Sequence, residues 1–254
     1  MSDAVPPILE VRGLQKSFGG LRAVDDVTLA VPGGSLTALI GPNGAGKTTL
    51  FALVSGFITP DAGTVAFAGR QIAGLPAHLV CRAGMTRTFQ IVQPFAGQTV
   101  LENIAVGAHL HRVRQADAQA HARAVAARVG LADQLDKRAD SLPIAGRKRL
   151  ELARALATDP RLLLLDEVMA GLNPSEIAEI IPIIRSIRDG GVTILLIEHV
   201  MQAVVNLAEH VWVLSYGRLI AEGSPAAITT DAQVIEAYLG HGAAARMQAM
   251  QVAQ

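Results

Sequence analysis

One cysteine, Cys81, in 254 residues leaves no partner for an internal disulfide, and no cluster of potential metal ligands surrounds it. A reducing interior compartment suits such a chain. Aromatic residues make up only 4 % of the total, so apolar packing must come mainly from Leu, Ile, Val and Ala. An excess of either charge is missing too. Lys and Arg together number 22, as do Asp and Glu, so nothing global advertises a nucleic-acid partner or an acidic substrate. Long hydrophobic runs are also absent: Leu162 to Leu165 and Val192 to Ile197 are far too short for a membrane helix and read as buried parallel strands. Met1 to Pro7 holds Asp3 and prolines where a secretory signal would hold basic residues and an apolar core, so the protein is expected to stay where it is made unless a partner holds it at a membrane.

What is present fits one sizeable α/β domain with room for a smaller lobe. Strand-like stretches come early, at Ile8 to Val11, Val24 to Val31, Leu36 to Ile40 and Thr64 to Phe67, with turns at Gly19-Gly20, Pro32-Gly34 and Asp61-Gly63. This predicts a β-rich N-terminal lobe. From Thr99 to Ala139 the composition shifts to Ala, Arg, Gln and His, with Val113, Ala116, Ala120, Ala124 and Val125 at helical spacing, which predicts a small helical insertion. Beyond it, apolar strands at Arg161 to Asp166, Val192 to Ile197 and Val211 to Leu214 alternate with helices, the pattern of a parallel-sheet core. Asn173-Pro174 is a helix start, and a bend is expected where that helix meets Pro182. The tail 241–254 carries no motif.

The segment Gly41-Pro42-Asn43-Gly44-Ala45-Gly46-Lys47-Thr48-Thr49 follows the apolar strand Leu36 to Ile40 and precedes the apolar stretch Thr49 to Ser55. That is the spacing and setting of a P-loop. Glycines let the backbone wrap so that its amides meet phosphate oxygens, and a helix N-terminus adds its positive dipole end. Lys47 is expected on the β- and γ-phosphates of ATP, and the Thr48 hydroxyl on Mg²⁺. Further on, Asp166-Glu167 closes the apolar strand that begins at Arg161. Successive strand side chains point to opposite faces, so the two carboxylates should do different jobs. Asp166 suits Mg²⁺, and Glu167 suits the polarisation of an attacking water.

Three more elements follow in order: Gln90 in Thr86-Arg87-Thr88-Phe89-Gln90, Ala170-Gly171-Leu172-Asn173, and His199 after the strand Val192 to Ile197. With the P-loop and the acidic pair, they resemble an ABC transporter ATPase over Ile8 to Gly240. The resemblance implies a P-loop NTPase of the ABC-ATPase fold, α/β, with a helical subdomain at about 95–145 inside a domain at 8–240. It further implies that Phe18 stacks on adenine, that Gln90 reaches Mg²⁺ and senses the membrane subunit, and that His199 contacts the γ-phosphate. More narrowly, Arg87 to Gln90, Glu167 with Ala170 to Pro174, and Val234 to Gly240 are similar to ATPases of branched-chain amino acid importers. In that family two ATPase chains, often different and otherwise a homodimer, sit on the cytoplasmic face of the membrane beneath two permeases, fed by an extracytoplasmic solute-binding protein. Val92, Phe95, Val100, Leu101 and Ile104 are expected either to line the groove that receives a permease helix or to pack the lobe.

One departure stands out. The family signature Leu-Ser-Gly-Gly-Gln is matched by Leu142-Pro143-Ile144-Ala145-Gly146, which has lost the serine hydroxyl and one amide. Arg147 and Lys148 are expected to lend positive charge to phosphate there. Two outcomes stay open: faster hydrolysis at the site built on this chain's P-loop than at the reciprocal site, or an ordinary subfamily variant. Val168 also replaces the proline usual after the catalytic glutamate, expected to alter only local stiffness. Among rival readings, a lipopolysaccharide-export ATPase usually keeps a fuller signature, and a soluble P-loop phosphotransferase leaves Gln90, Asn173 and His199 unexplained. A regulatory or DNA-associated ABC protein is opposed by the neutral charge and the lack of a coiled-coil insertion.

Overall fold

The computed structural model describes residues 7–239, so the tail expectation for 241–254 and the endpoint at Gly240 lie outside the described residues. The chain divides into two compact units, one formed by 7–74 with 197–239 and the other by Leu75–Leu196.

In the first unit, β1 (Pro7–Phe18) pairs antiparallel with β2 (Leu21–Pro32). Leu9 and Val11 are buried at period two, and a register shift between Val11 and Leu14 lets Leu14 be buried as well. β3 (Leu36–Ile40) is buried at all five positions and leads through the glycine-rich loop into α1 (Lys47–Val54). β4 (Ala62–Phe67) and β5 (Arg70–Gln71) complete an antiparallel sheet of order β2-β1-β4-β5. Phe51 of α1 and Phe67 of β4 are among the largest fully buried side chains, each contributing roughly 1.5–3 kcal/mol.

The second unit opens with α2 (Ala77–Arg82) and β6 (Met85–Arg87). A helical run follows: α3 (Val100–Ala108), started by a Thr99/Glu102 capping box, then α4 (Gln115–Arg128) and α5 (Ile144–Leu156). β7 (Leu162–Asp166), buried throughout, pairs parallel with β6. α6 (Pro174–Asp189) starts as the sequence predicts, with Asn173 capping the Glu176 amide and Glu176 returning the bond, and it runs through Pro182 to its end. β8 (Thr193–Ile197) then lies beside β7.

The chain returns to the first unit with α7 (Met201–Leu207), β9 (His210–Ser215), β10 (Arg218–Gly223), α8 (Pro225–Thr230) and α9 (Ala232–Leu239). β9 pairs parallel with β3 and antiparallel with β10. The fold is therefore α/β, with antiparallel pairing of the N-terminal strands and parallel pairing of β3 with β9 and of β6 with β7, as expected. No helix among the described residues is long and apolar enough to cross a membrane.

One expectation needs correction. The buried stripe of α4 is Ala118, Ala122, Val125 and Ala126, whereas Ala116, Ala120 and Ala124 face outward, and Val113, before the helix, is 96 % exposed. The alanines of α4 recur at nearly every second position and so lie on every side of the helix, which leaves its inner face to be chosen by the neighbouring helices. Of the two roles open to the apolar residues around α3, Val100, Leu101 and Ile104 take lobe packing, since all three are buried. The exposed apolar residues nearby are Phe89, Ile91, Phe95 and Val106.

Candidate functional site

In the first unit the loop between β3 and α1 has the shape of a phosphate cradle. Gly41 has φ 150°, and a Cβ there would lie 2.0 Å from the Leu214 carbonyl oxygen. At Gly46, φ is 103°, and the Ala23 carbonyl oxygen would sit 2.2 Å from a Cβ. Only glycine fits either position. Lys47 begins α1, is 7 % exposed, and donates through Nζ to the Gly41 and Pro42 carbonyls at 2.8 and 3.0 Å. Its ammonium thus folds back over the loop. No side chain caps the N-terminus of α1, which leaves the dipole end open to an anion. Thr48, Asn43 and Gly44 are exposed; Pro42, Gly46 and Thr49 are half-buried; Ala45 is buried and its carbonyl accepts from the Gly217 amide at 2.9 Å. Tyr238 of α9 also reaches the loop: burial raises its hydroxyl pKa, and the Gly41 amide, donating to it, opposes that shift.

Phe18, at the end of β1, is 47 % exposed, with the Lys16 ammonium 5.6 Å from its ring centroid. A half-open ring of this kind is available for stacking. His199 is exposed beyond β8, directly after the fully buried Glu198.

In the second unit the ends of β6 and β7 bring the remaining candidates together. Arg87 donates through Nη2 to Asp166 Oδ2 at 2.6 Å, and this pair is almost wholly buried. The other carboxylate oxygen, Oδ1, is buried with no hydrogen-bond partner among the described residues. An orphaned carboxylate oxygen is costly unless something completes it, and a divalent cation or its bound water does so. No cluster of three or more His, Cys, Asp or Glu suited to a metal occurs among the described residues.

Glu167 lies just past β7 in the left-handed region, with φ 49°. Such a backbone is uncommon for a residue with a side chain and persists only where its surroundings dictate it. Gln90 Nε2 donates to Glu167 Oε2 at 2.7 Å, so the structure joins the two side chains that the sequence placed 77 residues apart.

Sequence reasoning missed four neighbours. Thr88, fully buried, accepts the Asp166 amide at 3.1 Å and holds the strand end. Glu151 accepts from the Phe89 amide at 3.2 Å; burial raises its pKa, opposed by Arg154, by that amide and by Lys148. Arg87 appeared only as a letter in a motif. Lys148, expected to offer charge to phosphate, instead turns inward and donates to the Gln90 and Glu167 carbonyls, each at 3.1 Å. Its place about one turn into α5, beside Arg147, gave no sign of this. Pro143 is the N-cap of α5 and provides no side-chain cap, as its chemistry requires.

Residues 24–170 match the family described as ABC transporter, and residues 218–244 match the family described as Branched-chain amino acid ATP-binding cassette transporter. The chain is 40 % identical over 250 residues to the high-affinity branched-chain amino acid transport ATP-binding protein BraF of Pseudomonas aeruginosa, covering 92 % of this chain and 98 % of that one. It is 34 % identical over 233 residues to the lipopolysaccharide export system ATP-binding protein LptB of Escherichia coli, covering 91 % and 97 %. Among solved structures, a nucleotide-free ATP-binding cassette from an ABC transporter superimposes with TM-score 0.85 at 30 % identity, covering 92 % of this chain and all of the other. The ADP conformation of another such cassette superimposes with TM-score 0.84 at 31 % identity, covering 92 % and 99 %.

Proposed function

The chain belongs to the ABC transporter family of ATPases, and from that premise we propose that it powers import of branched-chain amino acids or closely related small solutes from the cytoplasmic face of a membrane. The observation that carries the ATPase half of this reading is the glycine cradle with Lys47 folded over it. The solute half is supported by the match at 218–244 and by the greater similarity to a branched-chain amino acid relative than to a lipopolysaccharide-export one.

In this reading, amides of the loop Gly41 to Thr49 and the Lys47 ammonium bind the phosphates of ATP, and Phe18 stacks on the base. Asp166, with Thr48 and Gln90, would hold Mg²⁺, which when bound neutralises phosphate charge. Glu167 accepts a proton from the attacking water, and Gln90 orients that carboxylate through the bond already formed between them. His199 donates to the γ-phosphate as negative charge develops on it. The proposed ATPase domain spans 8–240, with a helical subdomain at about 95–145. Exposed Phe89, Ile91, Phe95 and Val106 are suited to receive a permease segment. Two permeases, a second ATPase chain and an extracytoplasmic binding protein complete the assembly.

Proteoliposomes holding that assembly, with ATP inside and the binding protein outside, should accumulate radiolabelled leucine, and a non-hydrolysable ATP analogue should abolish uptake. Uptake of equal size with the analogue would contradict ATP-driven import. ATP hydrolysis that neither a branched-chain amino acid nor a closely related small solute stimulates would contradict the solute class.

A further inference from the structure

Lysine is a strongly hydrated point charge that is rarely buried without a return. Lys148 of α5 is nevertheless only 6 % exposed. Its ammonium bridges the main-chain carbonyls of Gln90 and Glu167, which belong to separate loops following β6 and β7. The side chains of the same two residues are joined at 2.7 Å. The arrangement is a closed ring: the ammonium ties the two backbones, and the amide and carboxylate tie the two side chains. Glu167 adopts its left-handed backbone within that ring, and an ammonium on its carbonyl is the sort of restraint such a backbone needs.

We propose that Lys148 is a positioning residue for ATP hydrolysis, whose ammonium fixes the Gln90 and Glu167 backbones against each other so that the Glu167 carboxylate is aimed at the attacking water. This rests on Glu167 being the general base. Lysine suits the task because a compact ammonium converges on two carbonyls from one point, whereas a guanidinium spreads its donors over a plane. Lys148 touches neither substrate nor reacting atoms in this scheme, so its removal should act on turnover and leave nucleotide affinity alone.

The test is a double-mutant cycle on the purified transporter assembly, using single-turnover hydrolysis of radiolabelled ATP, equilibrium titration with a fluorescent ATP analogue, and thermal melting. Lys148→Met alone should lower the hydrolysis rate about 10- to 100-fold with Kd for the analogue within about twofold of wild type. Added to Glu167→Gln, it should cost less than about a further twofold, because the residue it positions is already disabled. Lys148→Arg is measured in the same cycle, with a smaller loss and the same non-additivity expected, so the test stands should the methionine variant not fold. An unchanged rate in Lys148→Met, a loss that repeats in full on the Glu167→Gln background, or a parallel collapse of rate, affinity and melting temperature in Lys148→Arg as well as in Lys148→Met would each overturn the proposal. Full activity of Glu167→Gln by itself would instead overturn the assignment of the base.

Discussion

Replacing Glu167 with glutamine should lower ATP turnover by about 100- to 10,000-fold while ATP stays bound. Glutamine keeps the size of the side chain and an oxygen that can accept from Gln90 Nε2, so the loop geometry and the cradle around Lys47 have no reason to change. What is lost is the carboxylate that takes the proton of the attacking water. The two consequences are separable: phosphate release from the purified assembly should nearly cease, whereas radiolabelled ATP should be retained on it after rapid filtration. Undiminished phosphate release would show that some other group is the base.

Asp166→Asn should cost both stability and metal response. Asp166 and Arg87 are 1 % and 7 % exposed and only 2.6 Å apart, so asparagine removes the counter-charge from a guanidinium that has little access to water. Breaking a buried pair by removing one partner costs on the order of 3 kcal/mol or somewhat more. For a chain of this size that corresponds to a fall in Tm of roughly 6–12 °C. The orphaned Oδ1 also loses the negative charge that suits it to a cation, so half-maximal ATPase activity should require several times more Mg²⁺. Thermal melting checks the first effect and a magnesium titration of the variant at a permissive temperature checks the second. An unchanged magnesium requirement would remove Asp166 from the ligand set. Arg87→Met separates the two effects, since it should lower Tm while leaving the magnesium requirement near that of wild type.

The parts of the fold legible in the sequence are those where one local signal admits one structure. β3, β7 and β8 read as buried strands because their runs are apolar at nearly every position, and each is buried throughout. The P-loop was legible because its glycines answer a steric demand; the 2.0 Å and 2.2 Å approaches at Gly41 and Gly46 are that demand. The Asn173-Pro174 start was legible because capping chemistry is local, and the Glu176 half of the box lies within the same turn.

Elsewhere the decisive partners are distant in sequence. In α4 the alanines offer no contrast, so the sequence could not say that Ala118 and Ala122 turn inward while Ala116 and Ala120 turn out. Lys148 reads as a surface cation on an amphipathic helix. Its inward turn depends on the Gln90 and Glu167 carbonyls, 58 and 19 residues away, which become neighbours only once the strands are paired. Gln90 was recognised through its place in an ordered set of motifs, but its hydrogen bond to Glu167 was not, for the same reason. The candidate residues were thus named by their chemistry one at a time, and the bonds among Gln90, Glu167 and Lys148 belong to the tertiary structure.

Whether the glycine loop and Lys47 hold ATP is decided by equilibrium binding of Mg-ATP to the purified chain and to Lys47→Ala. The wild type should bind saturably, and the substitution should reduce affinity about 100-fold, the loss expected when a charge-assisted contact to phosphate is removed. Absence of saturable ATP binding by the wild-type chain, or equal affinity of the two proteins, would contradict ATP binding through this loop and Lys47.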